Sequence, residues 1–433
     1  MKIAVIGGAG VRTPLLVRGL TASDLPIDTI ALFDTDAARL APIAGLAARV
    51  STGARVSACR RVDEAIEGAD FVFTSIRAGG AAARASDEAV SLALDVVGQE
   101  TVGPAGLAMA MRNVPPIVAY AEAVALRAPR AWIVNFTNPV GIVTEAILEG
   151  TGAHAIGICD TPTELFEDAA AALGLEAAEC RFDYVGLNHL GWLREVLHRG
   201  EPQLHRIWND PRALTAVYRR PFFEAAFLSK LRLLPTEYLY FYYRPADAVA
   251  RVKRAGATRG RIVEELTARL FATLERGDVD IVSAYDAYLD ARCGSYMQIE
   301  TDGAAPRPSV AVHGDLAGYD RIALAVVRAI HFNQARVIPL NVRNGTAIGD
   351  LEPKDVVEVP CLVDANGARP VESTHAPPPA RELLAAVKAY ERLAVRASLE
   401  RDRSLALRAL AANPLVPSES IADALLDRLQ WRA

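Results

Sequence analysis

Two short apolar runs in this chain end in side chains that can do chemistry. His154 to Ile158 runs into Cys159 and Asp160, and Phe182 to Leu187 runs into Asn188 and His189. Runs of this length read as strands, so a thiol, a carboxylate and an imidazole are carried at strand ends. Between them Thr161 and Pro162 open a helix, with Thr161 as N-cap and Glu164 three residues on, a capping box whose helix stops at Gly174. Two strand ends joined through one helix place these groups on a common rim, where ligands sit in open α/β sheets. A divalent metal held by Cys159 and His189 would suit that rim. Taken alone, a buried structural cysteine and a satisfied histidine are the default reading of such a pair. The elements that position it change the balance.

Those elements begin at residue 2. Lys2 to Ile6 is a continuous apolar strand, followed by GGAGVRTP and a helix carrying Leu15, Leu16, Val17 and Leu20. Strand, glycine-rich turn and helix in that order cradle a pyrophosphate, because glycines admit the backbone and the helix N-terminus offers free N–H groups. Gly7, Gly8 and Gly10 form the turn, and Thr13 stands where a third glycine is usual. A second strand, Thr29 to Phe33, ends in Asp34. A carboxylate there accepts hydrogen bonds from ribose hydroxyls and repels a 2′-phosphate, which favours NAD over NADP. Another phosphate-binding α/β turn is the alternative.

Two more strand-like runs, Asp70 to Ser75 and Ala131 to Val134, also end in polar groups. The first leads into IRAGGAAARASDE, where Arg77 and Arg84 flank a glycine pair and suit bidentate phosphate or carboxylate binding. Arg84 reads equally as an exposed helix residue paired with Glu88. The second leads into NFTNP, whose Asn135 and Asn138 are candidates for ribose or sugar hydroxyls, or simply turn formers.

The composition sets bounds. The chain has 433 residues, 51% hydrophobic and 23% charged, with a formal charge of −5. That is ordinary globular composition, with room for two domains. Nothing in the charge pattern calls for nucleic acid or an anionic membrane. Five scattered cysteines without CxxC spacing describe reduced cytosolic thiols. No apolar run reaches 18 residues, and a strand opening at residue 2 leaves no place for a signal peptide.

GGAGVRTP, Asp34, IRAGGAAARASDE, VGQETVGPAG, NFTNPVGIVTEA, ICDTP, GLNHLGW, LLPTEYLYFYY, NVRNGTAIGDLEP and ANPLVPS follow one another along nearly the whole chain. Together they closely resemble glycoside hydrolase family 4, the NAD- and divalent-metal-dependent glycosidases that include 6-phospho-β-glucosidases and depart from two-carboxylate hydrolysis. The resemblance implies a Rossmann-type α/β fold of the lactate/malate-dehydrogenase kind, with an NAD-binding domain over residues 1–180 and an α+β substrate and oligomerisation domain over 181–433. NAD, held by Gly7, Gly8, Gly10, Asp34 and Asn138, would take a hydride from the sugar C3. The metal, typically manganese, would be held by Cys159, His189 and the substrate's C2 and C3 oxygens, acting as a Lewis acid. A tyrosine base would remove the C2 proton, the aglycone would be eliminated, water would add and the hydride would return.

That base aligns with Tyr238, with Tyr240, Tyr242 and Tyr243 as competitors. The segment reads on its own as an aromatic strand in a core. An unperturbed phenol titrates near ~10 and needs a nearby cation to act as a base near neutrality. Asp160 is a departure, since many β-acting relatives carry Asn there and some α-acting ones carry Asp as general acid. It also reads as a second-layer anchor or a capping partner for Thr163. A 6-phospho-β-glucoside is therefore the expected substrate, with α-linked or unphosphorylated galactosides and uronides as the alternative. Arg77, Arg84, Arg259 in GATRGR and Arg292 in DARCGSYMQIE are the candidate phosphate or carboxylate ligands, with Asn135, Asn138 and Asn188 near the sugar.

Beyond residue 182 the pattern predicts amphipathic helices over Thr258 to Leu274 and Leu316 to Gln334. A β-rich section should follow to Pro370, with DANG as a hairpin turn, then a HAPPPA linker and terminal helices. A cytoplasmic homo-oligomer, dimer or tetramer, is expected. Two rivals remain. A 2-hydroxy-acid dehydrogenase would accumulate NADH, and a silent NAD-binding regulator would bind NAD without turnover.

Overall fold

Apolar runs that alternate with helices become strands covered on both faces. The computed structural model describes residues 1–218, 220–276, 280–303, 311–312, 314, 318–371 and 374–429. Its strands are β1 (Lys2–Ile6), β2 (Thr29–Phe33), β3 (Arg55–Ala58), β4 (Phe71–Thr74), β5 (Trp132–Asn135), β6 (His154–Gly157), β7 (Cys180–Leu187), β8 (Leu190–His198), β9 (Glu201–Pro202), β10 (Leu234–Pro235), β11 (Arg336–Arg343), β12 (Val356–Asp364) and β13 (Gly367–Pro370). They form one sheet in the order β10-β8-β7-β12-β11-β6-β5-β4-β1-β2-β3, with β9 on β8 and β13 on β12. From β3 to β6 every pairing is parallel. The chain reverses its direction of travel across the sheet between β1 and β4, the switch point where a doubly wound sheet binds its ligand.

Past β6 the sheet turns antiparallel. β6 and β7 are not neighbours. β11 and β12, from far along the chain, lie between them, and the register runs Gly157 to Asn341 to Glu358 to Gly186 in one row. That row brings the end of β6, with Cys159 and Asp160, level with the end of β7. Leu187 pairs with Leu190, so Asn188 and His189 are a two-residue hairpin turn, with His189 at φ +61. A side chain in this left-handed region stays only where its surroundings hold it.

The structure differs from the sequence reading locally. Asp160, not Thr161, occupies the N-cap of the helix Thr161–Ala172, with no side-chain cap, so neither the capping box nor a bond from Asp160 to Thr163 forms. Pro162 in the first turn already supplies helical φ and lacks an N–H that needs a partner. LLPTEYLYFYY is not an aromatic strand: Leu234–Pro235 ends the pairing and Leu239–Tyr243 is a short helix with Tyr238 at its N-cap. HAPPPA is no linker, because Pro377 is the N-cap of the helix Pro378–Glu400. The helix expected over Thr258 to Leu274 spans Arg259–Arg276. That expected from Leu316 spans Tyr319–His331, and Leu316 itself lies outside the described residues. The DANG turn joins β12 to β13 as expected.

A buried ion cluster fastens the last long helix behind the site. Lys388, fully buried, donates to Glu145 at 2.9 Å and to the Val356 carbonyl at 2.8 Å, and pairs with Glu391 at 2.6 Å. Removing one member of such a cluster strands the others without compensation. Lys388→Ala should therefore cost about 3–5 kcal/mol, read as a lower urea midpoint; an unchanged midpoint would remove the cluster from the stability of this fold.

Candidate active site

The turn after β1 is shaped by Gly7. At φ +91, a Cβ there would stand 2.3 Å from the Ser75 carbonyl oxygen, so glycine alone lets the turn lie against the end of β4. Gly7 and Gly10 line a cavity of about 670 Å³, and the helix Thr13–Thr21 starts beside it. Asp34 also lines the cavity, its carboxylate held by the Ala9 and Asp36 N–H groups, both at 3.0 Å. Asn138 faces the same space with its Oδ1 buried and unpartnered. A glycine cradle, a fixed carboxylate one strand away and an orphan acceptor fit a dinucleotide. Gly8 is not on the wall; it packs against Leu32 of β2, where a Cβ would come within 2.9 Å of the Leu32 Cβ.

Arg77, Arg84, Arg259 and Arg292 all reach this cavity, but they divide into two pairs. Arg77 and Arg84 both pair with Glu100, whose side chain is 11% exposed on the cavity wall, and Arg84 also donates to Glu88 at 2.8 Å. Burial alone would raise the Glu100 pKa, but the two guanidiniums outweigh it and bring it down to about 2. Arg84 is thus paired with Glu88 as its helix spacing suggests, yet it is buried and not exposed. Arg259 and Arg292 instead hold neutral groups: Arg259 the Ser295 hydroxyl and the Arg292 carbonyl, Arg292 the Tyr288 hydroxyl at 3.1 Å. Burial, then the neighbouring Arg292 and Arg84 cations, lower the Arg259 pKa to about 10. Among the described residues neither arginine makes an ion pair with a carboxylate, although Glu300 on the same wall offsets part of the burial of Arg259, and two such cations side by side suit an anion.

At the β6 and β7 ends, His189 and Asp160 line the cavity while Cys159 lies just beneath the wall, 1% exposed. The His189 ring stacks on Tyr238, centroids 3.7 Å apart and planes within 3°. Burial lowers the His189 pKa to about 3, so the imidazole is neutral and can ligate. Burial raises the Cys159 thiol well above its ordinary value, and Glu358 and Asp160 raise it further. A neutral imidazole and a thiol between two carboxylates are donors in want of a cation, so the residues fit a divalent metal. Among the described residues no three His, Cys, Asp or Glu side chains form a metal cluster. Of the four candidate tyrosines, Tyr238 is the one on the cavity wall. Its pKa stands well above the phenol range through burial, then through Glu237, despite a hydrogen bond with Tyr296.

The sequence model of the family 4 glycosyl hydrolases matches residues 2–175, and that of their C-terminal domain matches residues 184–416. The chain belongs to glycosyl hydrolase family 4. The enzyme is 29% identical to a probable 6-phospho-β-glucosidase of Bacillus subtilis, over 99% of this chain and 95% of that one. It is 28% identical to the maltose-6′-phosphate glucosidase of the same organism, over 99% and 94%. The structure of the Thermotoga maritima 6-phospho-β-glucosidase with NAD and glucose-6-phosphate superimposes with a TM-score of 0.83 at 28% identity, covering 99% of this chain and 97% of that one; another crystal of it contains manganese as well. A malate dehydrogenase of Cryptosporidium parvum, at 13% identity and a TM-score of 0.52, shares the fold, as the expected architecture requires.

Besides Gly8 and Cys159, two expected site residues of the family 4 enzyme lie off the cavity wall. Asn135 is fully buried and bonds to Thr74, Thr137 and Thr144, tying β5 to the helix that follows it. Asn188 turns away from its neighbour His189 and donates to Glu358 at 3.2 Å. Sequence reasoning gave no role to Glu100, Thr101, Tyr296 or Glu358. Glu358 had a signal, a lone acid in the apolar strand VVEVPCLV. It accepts from Asn341 at 2.8 Å, Asn188 and Tyr184 at 2.9 Å, and burial lifts its pKa to about 7 despite them.

Proposed function

We propose that the enzyme hydrolyses 6-phospho-β-glucosides with NAD and a divalent cation, Mn²⁺ in the first place. The observation that carries this reading is the Arg259/Arg292 pair, two guanidiniums on the cavity wall that make no ion pair with a carboxylate among the described residues, suited to a phosphate dianion. When bound, NAD supplies a reversible hydride acceptor for the sugar C3 and the cation supplies Lewis acidity at the sugar oxygens. Cys159 and His189 hold the cation, Gly7, Gly10 and Asp34 position the dinucleotide, and Tyr238 takes the C2 proton. Arg77 and Arg84 keep Glu100 ionised at the wall, where it accepts sugar hydroxyls.

The phosphate assignment is tested by a KM split. Arg259→Ala and Arg292→Ala should each raise KM for an aryl 6-phospho-β-glucoside about 10- to 100-fold, as expected for a lost charge-assisted bond, while leaving KM for the unphosphorylated aryl glucoside nearly as it was. Equal changes on both substrates would take the phosphate away from this pair.

One observation favours a second reading. Asp160 lines the cavity, its carboxylate lying against Gly318, where a general acid would meet the leaving oxygen of an α-linked 6-phosphoglucoside. Turnover of an α-linked substrate that Asp160→Asn abolishes would decide for it.

Homo-oligomerisation belongs to the same proposal. It is supported by Val337, 55% exposed and paired with Leu362 across the sheet, and by Val371, 44% exposed, whose N–H donates to the Pro360 carbonyl at 3.1 Å. Five free cysteines support a reducing compartment, the cytoplasm. Among the described residues no helix is long and apolar enough to cross a membrane.

A further inference from the structure

We propose that Gln99 and Thr101 are positioning residues that lock His189 as its Nδ1–H tautomer, leaving the Nε2 lone pair for the divalent cation. The inference rests on reading Cys159 and His189 as the metal ligands, and it follows from a chain of hydrogen bonds with a single consistent polarity. The Gln99 Oε1 lies 2.7 Å from the Thr101 backbone N and 3.1 Å from the Val102 backbone N. Backbone N–H groups only donate, so the atom they meet is the carbonyl oxygen of the amide and its orientation is fixed. The same oxygen lies 2.9 Å from the Thr101 hydroxyl. An amide oxygen has no proton to give, so the hydroxyl donates its one proton to Gln99. What Thr101 then presents to the His189 Nδ1, 2.7 Å away, is a lone pair. Nδ1 must carry the proton, and Nε2 must not.

The arrangement is buried and rigid. Thr101 is 8% and His189 3% exposed, the imidazole clamped between this bond and the Tyr238 ring. A neutral histidine has two tautomers of similar energy, and only one leaves Nε2 able to ligate. Partners of this kind orient metal-binding histidines and set their basicity, and their loss costs metal affinity by about 10- to 100-fold. Gln99 touches neither metal nor histidine, yet it decides which way the Thr101 proton points.

The test reads the tautomer and the metal separately, on the full-length protein. Nitrogen-15 NMR of the metal-free, histidine-labelled enzyme reports Nδ1–H or Nε2–H at each of the seven histidines, with His189→Ala assigning the resonance. Mn²⁺ affinity is measured by the electron paramagnetic resonance signal of the free ion, without substrate turnover. Wild type should show Nδ1–H at His189. Gln99→Leu frees the Thr101 hydroxyl to donate to Nδ1, so the Nε2–H form should grow and Mn²⁺ should bind about 10- to 100-fold more weakly. Gln99→Glu, which still accepts all three bonds, should retain both properties. Thr101→Val should weaken Mn²⁺ binding, and Thr101→Ser should restore it. An Nε2–H wild type, or a Gln99→Leu variant with wild-type tautomer and Mn²⁺ affinity, overturns the proposal while leaving the metal site intact. Mn²⁺ binding indifferent to His189→Ala overturns the metal reading itself, and the proposal with it.

Discussion

Tyr238→Phe is expected to lower kcat by about 10³-fold, within the range of a lost general base, while NAD affinity stays within about twofold. The substitution removes one oxygen from a partly buried ring that keeps its stacking on His189, so the fold and the dinucleotide cradle should be untouched. The phenol must lose its proton before it can take one from the sugar C2. Burial and Glu237 hold its pKa above the ordinary value, so activity should rise with pH. A cation at the adjacent Cys159/His189 pair stabilises the phenolate, and raising Mn²⁺ occupancy should shift that rising limb to lower pH. Tyr240→Phe and Tyr242→Phe, off the cavity wall, should keep most of the activity. Wild-type rates in Tyr238→Phe, measured with a 6-phospho-β-glucoside at saturating Mn²⁺, would remove this residue from the chemistry.

Cys159→Ser is the second large effect. A serine at the same place stays protonated and cannot offer the anionic ligand that a thiol becomes, so activity supported by Mn²⁺ should fall to background. Metal binding must displace the thiol proton, whose pKa burial, Glu358 and Asp160 raise well above the ordinary thiol value. Wild-type Mn²⁺ affinity should therefore tighten by about tenfold per pH unit across the neutral range, one proton being released per metal bound. In Cys159→Ser that slope should flatten. An unchanged Mn²⁺ titration in this variant would sink the assignment. Oxidation of the thiol should mimic the substitution, with reductant restoring activity.

How far the sequence could be read follows from what each feature depends on. The NAD half is built from local signals, an apolar run followed by glycines and a helix, or a run ending in an acid, so β1, β2, Gly7, Gly10 and Asp34 are where the pattern puts them. The rim carrying Cys159, Asp160 and His189 was legible as residues but not as topology. The alignment of β6 with β7 depends on β11 and β12, which enter between them from more than a hundred residues downstream. No periodicity announces such a long-range insertion. The division of the four arginines was likewise hidden, since it turns on Glu100 meeting Arg77 on the loop before the helix Gly80–Ala93 and Arg84 within that helix. The misread tyrosine segment failed for a different reason. Aromatic residues favour strands, but Pro235 ends the ladder and burial of Leu239, Tyr240 and Phe241 holds a helix instead.

The most direct test of the account is aglycone release from an aryl 6-phospho-β-glucoside, with Mn²⁺ and reductant, followed with and without added NAD⁺ while NADH absorbance is recorded. Release that requires NAD⁺ and leaves no NADH behind is the predicted result. Release that is indifferent to NAD⁺ in enzyme stripped of cofactor, or NADH accumulating in step with substrate consumed, would contradict it.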